Sequence, residues 1–192
     1  TNVTISNNTA SSGGGMAMAC GMGELFDGCN DNAILTHVTI ANNTADSGGG
    51  IYFMAYPNPT LTHVTIANNT ADSGAGMYLY YATPTKLTHI TIANNTAIEG
   101  GAIHLYNSQA SLNNSIIWGN SPESIAVWNE NEEPLITYSN IEGGWEGEGN
   151  IDDNPQFTDP DNGDYTLQEE SPCIDAGTGD TDGDGYDDIT DY

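Results

Sequence analysis

The sequence predicts an all-β fold: a right-handed parallel β-helix of about six coils, closed by an irregular acidic C-terminal cap. Three observations carry that expectation. The block Leu35–Ala45 recurs almost letter for letter at Leu61–Ala71 and Leu87–Ala97, with a spacing of 26 residues both times. Each unit holds two short β signals separated by turn residues. No stretch carries apolar residues at helical spacing, which excludes leucine-rich and helical repeats, and 26 residues are too few for a four-stranded propeller blade.

The elements follow in order. A diverged copy opens the chain at Thr1–Ala10, displaced by 35 residues because the loop from Cys20 to Cys29 is an insertion. Weaker copies run from Leu112 to Ser121 and start again near Leu135. In each full unit the first strand is Thr-His-Val-Thr-Ile or its Ile variant, rich in β-branched residues that alternate with period two. The second follows glycine, as in Gly50-Ile51-Tyr52-Phe53 and Gly76-Met77-Tyr78-Leu79, with Ala102-Ile103-His104-Leu105 as the third copy. Asn-Asn-Thr-Ala and Asp-Ser-Gly-Gly mark the turns. The domain reading is residues 1–140 as β-helix repeats, 141–179 as a capping segment with a hairpin, and 180–192 as an Asp-rich calcium loop.

If coils stack about 4.8 Å apart, like residues lie over like. Val38, Val64 and Ile90 form one inward row, and Ile40, Ile66 and Ile92 the next. Ile51, Met77 and Ile103 form a third, beside Phe53, Leu79 and Leu105. Asn42, Asn68 and Asn94 are expected to form an amide ladder at a turn; with Asn7 they also read as glycosylation sequons. Outward, Tyr52, Tyr78 and His104 make one external row, and Met54, Tyr80, Tyr106 and Trp128 another. The stripe Tyr52, Tyr78, Tyr80, Tyr106 and Trp128 is the candidate surface for a partner or a glycan, against plain cross-strand stacking. His37, His63 and His89 form a further surface row, read as a polar stack rather than a metal ladder. The row of Thr39, Thr65 and Thr91 stands beside those histidines, which argues against a flat ice-binding face.

The chain resembles the right-handed parallel β-helix repeats of bacterial and archaeal surface proteins, including the polymorphic outer-membrane protein type. The matching features are Thr-Ile-x-Asn-Asn-Thr-Ala followed by a Gly-Gly step, at residues 39–51 and 91–103. Asn150-Ile151-Asp152, Pro155-Gln156-Phe157, Gly163–Leu167 and Ser171–Gly177 are similar to the closing segment of such helices in secreted, surface-anchored proteins. The resemblance implies a β-helix and a cell-surface location; it implies little about function.

Charge is unevenly placed. Residues 1–110 hold six acidic side chains and residues 111–192 hold twenty-one, where the repeat decays. Phe157-Thr158-Asp159 and Asp164–Leu167 flank Pro160-Asp161-Asn162-Gly163 and read as a hairpin laid over the open solenoid end. The sharpest chemical motif is Asp180–Asp191. Asp180, Asp182 and Asp184 stand at positions 1, 3 and 5 of a twelve-residue calcium loop, with Gly185 at the sharp turn, the Tyr186 carbonyl at 7, Asp188 at 9 and Asp191 at 12. Without a cation these carboxylates repel one another. The motif looks like the Asp-rich Ca2+ loops of dockerins and thrombospondin-type linkers, without flanking helices.

Composition excludes several partners. Lys86 is the only basic residue against 27 acidic ones, a net charge of −26, so nucleic acid and anionic surfaces have nothing to bind. No apolar run spans a membrane, and the chain opens directly on a repeat strand, which reads as a mature or trimmed chain. A Cys20–Cys29 disulfide is expected, and with it an oxidising compartment. Elimination from uronic acids needs a cation at the substrate carboxylate, and the chain has no Arg, while Lys86 is expected alone in a turn. Asp46, Asp72 and Glu99 are read as one architectural column, and Glu130, Glu132 and Glu133 as loop acids without a catalytic partner. The expectation is therefore no enzyme. The chain reads as an extracellular structural or adhesive surface protein, Ca2+-stabilised and self-associating, with a head-to-tail filament as one form. The alternative is a carbohydrate-binding or carbohydrate-cleaving module.

Overall fold

A computed structural model describes residues 2–19, 33–55, 58–82, 84–129 and 132–179. The expected Cys20–Cys29 disulfide and the Asp180–Asp191 loop lie outside the described residues, as does Glu130.

The repeats wind into a right-handed parallel β-solenoid of about four turns, against about six coils counted from sequence, which included the partial copies at both ends. An eight-stranded sheet runs along one side. Its main path is β1 (Val3–Ser6), β3 (Ile34–Ala41), β5 (Thr60–Ala67), β7 (Thr85–Ala93), β10 (Ile116–Trp118) and β13 (Asn140–Ile141). β9 (Ala110–Asn113) and β12 (Leu135–Thr137) continue it beside β7. A second sheet holds β2 (Met16–Ala19), β4 (Ile51–Met54), β6 (Met77–Tyr80), β8 (Ile103–Tyr106) and β11 (Ile125–Val127). Every pairing in both sheets is parallel.

The inward rows form as read. Val38, Val64 and Ile90 are in register, as are Ile40, Ile66 and Ile92. Ile51, Met77 and Ile103 align, with Phe53, Leu79 and Leu105 beside them. Phe53, Ile66, Met77 and Leu79 are fully buried. Lys86 lies within β7, paired in register with Thr60 and Ser111, and not in a turn.

Each regular coil turns four corners, and each corner residue takes a left-handed backbone. His37, His63 and His89 (φ 55, 53 and 54°) make the first. Asn42, Asn68 and Asn94 (φ 59, 56 and 55°) make the second, and Gly48, Gly74 and Gly100 the third. Ala55, Tyr81 and Asn107 make the fourth. Asparagine tolerates this region and glycine is unstrained there, which explains two of the four columns.

The amide ladder belongs to the second asparagine of each pair, a correction to the expectation for Asn42, Asn68 and Asn94. Asn43, Asn69 and Asn95 are fully buried. The backbone N–H and Nδ2 of Asn43 both donate to Oδ1 of Asn69, at 2.9 and 3.0 Å, and Asn69 donates likewise to Asn95. Asn95 passes the pattern to Asn120. The remaining Nδ2 hydrogens go to the carbonyls of Ile5, Ile40, Ile66 and Ile92. The first asparagine bends the chain at the corner, so its neighbour is the one turned inward. A second correction concerns the acidic column. Glu99 pairs with Ser73 and lies over Ser47, so it stands one position away from Asp46 and Asp72, whose counterpart is Ile98.

The C-terminal part divides in two. Residues 141–152 finish the last coil: Trp145 packs on the core, Asn150 Oδ1 accepts from the Ser139 N–H, and its Nδ2 donates to the Ile136 carbonyl. The hairpin forms as read, from antiparallel β14 (Phe157–Asp159) and β15 (Asp164–Leu167) around a 3-10 turn, with Gly163 left-handed at φ 82°. Its position differs from the expectation. The Tyr165 hydroxyl accepts from Nδ2 of Asn68 and Asn94 at 3.1 and 3.3 Å, so the hairpin returns along the side of the coils rather than over their end. The following segment is tied down by Asn114, which accepts from the Thr178 N–H and donates to its carbonyl, at 2.8 and 2.7 Å.

Candidate functional site

The outer face of the second sheet carries the aromatic stripe. Strand alternation turns Phe53 and Leu79 inward, so Tyr52, Tyr78 and Tyr80 face out from β4 and β6, and Tyr106 from β8. Parallel register then stacks them. Tyr52 and Tyr78 have ring centroids 5.5 Å apart, Tyr80 and Tyr106 4.9 Å, and Tyr106 and Trp128 5.2 Å, with interplanar angles of 27 to 29°. Tyr81 closes edge-on against Tyr80 at 4.8 Å. All five residues singled out from sequence thus lie on one face as two stacks, Tyr52–Tyr78 and Tyr80–Tyr106–Trp128, with the Tyr78 and Tyr80 rings 6.3 Å apart and tilted.

The geometry limits what this ladder can do. Stacked rings spend their faces on one another, leaving the edges and hydroxyls of Tyr52, Tyr78, Tyr80 and Tyr106 to the outside. Burial pushes the Tyr78 hydroxyl up to about 12, with the neighbouring tyrosines and Glu99 adding to it, so it stays a neutral donor. Burial also raises Tyr52. The open end is Trp128, 62% exposed, with Tyr106 on one side of its indole.

His104, expected in the external row, is only 4% exposed. Tyr78 meets its ring edge-on at 4.9 Å, and a Glu99 oxygen lies 4.0 Å from its Nδ1. Burial lowers its pKa, opposed by Glu99 and Glu123. The other histidines stack face to face, His37 on His63 at 5.0 Å and His63 on His89 at 4.7 Å. Burial and the adjoining ring lower His63 and His89. Parallel rings this far apart cannot both reach one tetrahedral ion at about 2.1 Å per bond. Among the described residues no group of three His, Cys, Asp or Glu converges on a metal position.

One feature escaped the sequence. The apolar row of Val38, Val64 and Ile90 continues as Ser115, Ser139 and Asn150, linked by Ile90 N–H to Ser115 Oγ (3.2 Å), Ser115 N–H to Ser139 Oγ (3.1 Å) and Ser139 N–H to Asn150 Oδ1 (3.0 Å). Beside it lies a cavity of about 430 Å³ between the sheet and the C-terminal segment, lined among others by His89, Tyr138, Cys173 and Asp175. Asn140 Nδ2 donates to the Cys173 sulfur at 3.0 Å. Nothing in the spacing of Cys173 marks this neighbourhood, because the segment that carries it folds back over coils far away in sequence.

These features define a parallel β-solenoid module with an aromatic outer face. Residues 1–141 match the family described as "Right handed beta helix region", and the chain belongs to that family. No curated protein matches the chain, and no solved structure does. Right-handed β-helices include both enzymes and structural proteins, so membership leaves the role to the site.

Proposed function

We propose that the chain is an extracellular structural and adhesive surface module, stabilised by Ca2+ in its Asp-rich C-terminal segment. The observation that carries the reading is the ladder Tyr52–Tyr78 and Tyr80–Tyr106–Trp128, an aromatic surface on a rigid scaffold. Aromatic residues are the side chains that contribute most per contact at protein interfaces. The net charge of −26 supports a role for bound cations, which relieve self-repulsion. Asp180, Asp182, Asp184, Asp188 and Asp191, with the Tyr186 carbonyl, supply the hard oxygens that Ca2+ takes.

Two measurements test the two halves of this reading. The melting midpoint is expected to rise in millimolar Ca2+ and to fall with chelator, by about 2.7 kcal/mol of stability at a hundredfold excess over the dissociation constant. An unchanged midpoint, or an equal shift in an Asp182→Asn, Asp184→Asn variant, removes the calcium assignment. Adhesion of beads coated with the protein to the cell surface is expected to drop on Tyr78→Ala, Tyr80→Ala at an unchanged far-ultraviolet spectrum; retained adhesion removes the aromatic face.

Carbohydrate binding is favoured by one observation, the open indole face of Trp128. With no cation nearby the sugar would be neutral. Saturable binding on a glycan array that vanishes in Trp128→Ala supports it, and reducing-sugar release separates cleavage from binding.

A further inference from the structure

The two sheets do not end together. The eight-stranded sheet continues through β12 and β13, whereas the second sheet stops at β11. Among the described residues nothing pairs with β11 on the side away from β8. The ladder tells which groups are left over. The Ile103 N–H donates to the Ser124 carbonyl at 3.1 Å, and the Trp128 N–H donates to the Leu105 carbonyl at 2.9 Å. In a parallel ladder such groups alternate, so Ile125 and Val127 aim their N–H and C=O away from β8, along the solenoid axis. Their side chains pack against the core but stay partly exposed, while Ile103 and Leu105 one coil earlier are buried. Trp128, next in the chain, is largely exposed and, among the described residues, is the last member of its stack.

We propose that β11 is a docking edge for an extended segment of another protein, which adds as a sixth strand to the second sheet. Backbone hydrogen bonds to Ile125 and Val127 would give affinity. Alternate side chains of the incoming strand would continue the two existing columns: apolar over Ile125 and Val127, and a flat ring over Trp128. Charge selects the partner. Glu123 immediately precedes the strand and the Glu142 carbonyl accepts from Ser124 Oγ beside it; Glu132, Glu133, Glu146 and Glu148 follow β11 within about twenty residues of sequence, and Lys86 is the only basic residue anywhere. The segment is therefore one flanked by Lys or Arg. A second copy would bring −26 against −26 and one cation to offer. The inference goes beyond the aromatic face: it concerns the backbone edge of the same sheet and holds whether or not the face itself adheres.

The test uses the full chain and a synthetic peptide of alternating Val and Tyr, flanked by Lys at both ends. A copy flanked by Glu and a copy with the core order scrambled serve as controls. Titration calorimetry is expected to give salt-sensitive binding for the first peptide only, with new hydrogen-exchange protection at the Ile125 and Val127 amides. Val127→Pro removes an outward N–H without touching the ladder to β8, and is expected to weaken binding about tenfold. Trp128→Ala weakens it as well, whereas Tyr78→Ala leaves it unchanged, which separates this edge from the adhesive face. No binding, equal binding of the Glu-flanked or scrambled copy, or unaltered exchange at Ile125 and Val127 overturns the proposal. So does self-association of the bare chain that buries those amides, which would make a second copy the occupant. The exchange measurement on the unmodified chain stands even if the proline variant does not fold.

Discussion

The regular coils, residues 33–106, and the later coils from Ala110 onward wind on the same path with different chemistry at the same places. In the regular part a row is a column of near-identical side chains: Val38, Val64 and Ile90 inside, His37, His63 and His89 at a corner. In the later part those columns become Ser115 and Ser139 inside, with Asn114 and Tyr138 at the corner, still left-handed at φ 50 and 48°. The backbone rule survives and the side-chain rule changes. Repetition sets a rung, and what happens at a rung depends on what covers it. In the early coils the returning hairpin reaches the asparagine corner at Asn68 and Asn94, whereas in the later coils Asn114 is held by Thr178 and Ser139 by Asn150.

The comparison is broken most severely at the buried asparagines. Asn69→Ala leaves the Asn43 N–H and one Nδ2 hydrogen of Asn43 without their acceptor at a fully buried position, and takes one donor each from the Ile40 carbonyl and from Asn95 Oδ1. Each orphaned group costs about 1–3 kcal/mol, so a loss of about 3 kcal/mol or more is expected from denaturant unfolding. Asn120→Ala, at the last full rung and 8% exposed, is expected to cost less. Equal losses would mean that the ladder gains nothing from its length.

Exchanging the two versions of the inner row has a smaller effect. Val64→Ser places a hydroxyl in an apolar row, at about 1–3 kcal/mol. Ser115→Val takes away the acceptor of the buried Ile90 N–H and costs a similar amount. Were either swap neutral in a chemical melt, the row would not distinguish the two regions.

The repeat made the fold legible because identical blocks must be equivalent in space: the inward rows, the two sheets and the aromatic ladder all follow from the 26-residue period. The ladder of amides was legible only to within one residue. Asn42 and Asn43 are the same amino acid, and only backbone geometry says that one bends while the other points inward. The hairpin was legible from Pro160 to Gly163, yet its landing place was not. Tyr165 meets Asn68 and Asn94, a long-range contact between residues with no shared pattern. His104 shows the same limit, since its cover comes from Glu99 and Tyr78 in a neighbouring corner and coil.

The smallest effect expected is a dependence on pH in the histidine column, which exists only in the regular coils. Burial, with the adjoining ring, lowers His63 and His89 below the ordinary value of 6.5. The unfolded chain then takes up protons before the folded one does. The contribution is fully present above about pH 6.5 and is lost as pH falls through that value toward the lowered folded pKa. His63→Asn tests it without disturbing the corner, because Asn114 already occupies the equivalent left-handed position two rungs on. The many carboxylates act with the opposite sign on acidification, relieving self-repulsion, but they do so equally in both proteins. The melting midpoint of the parent is therefore expected to lose ground against His63→Asn between about pH 7.5 and 5.5. Parallel midpoints over that range would show that the stacked rings are protonated as easily as in the unfolded chain, and that the corner column differs from Asn114 and Tyr138 in composition alone.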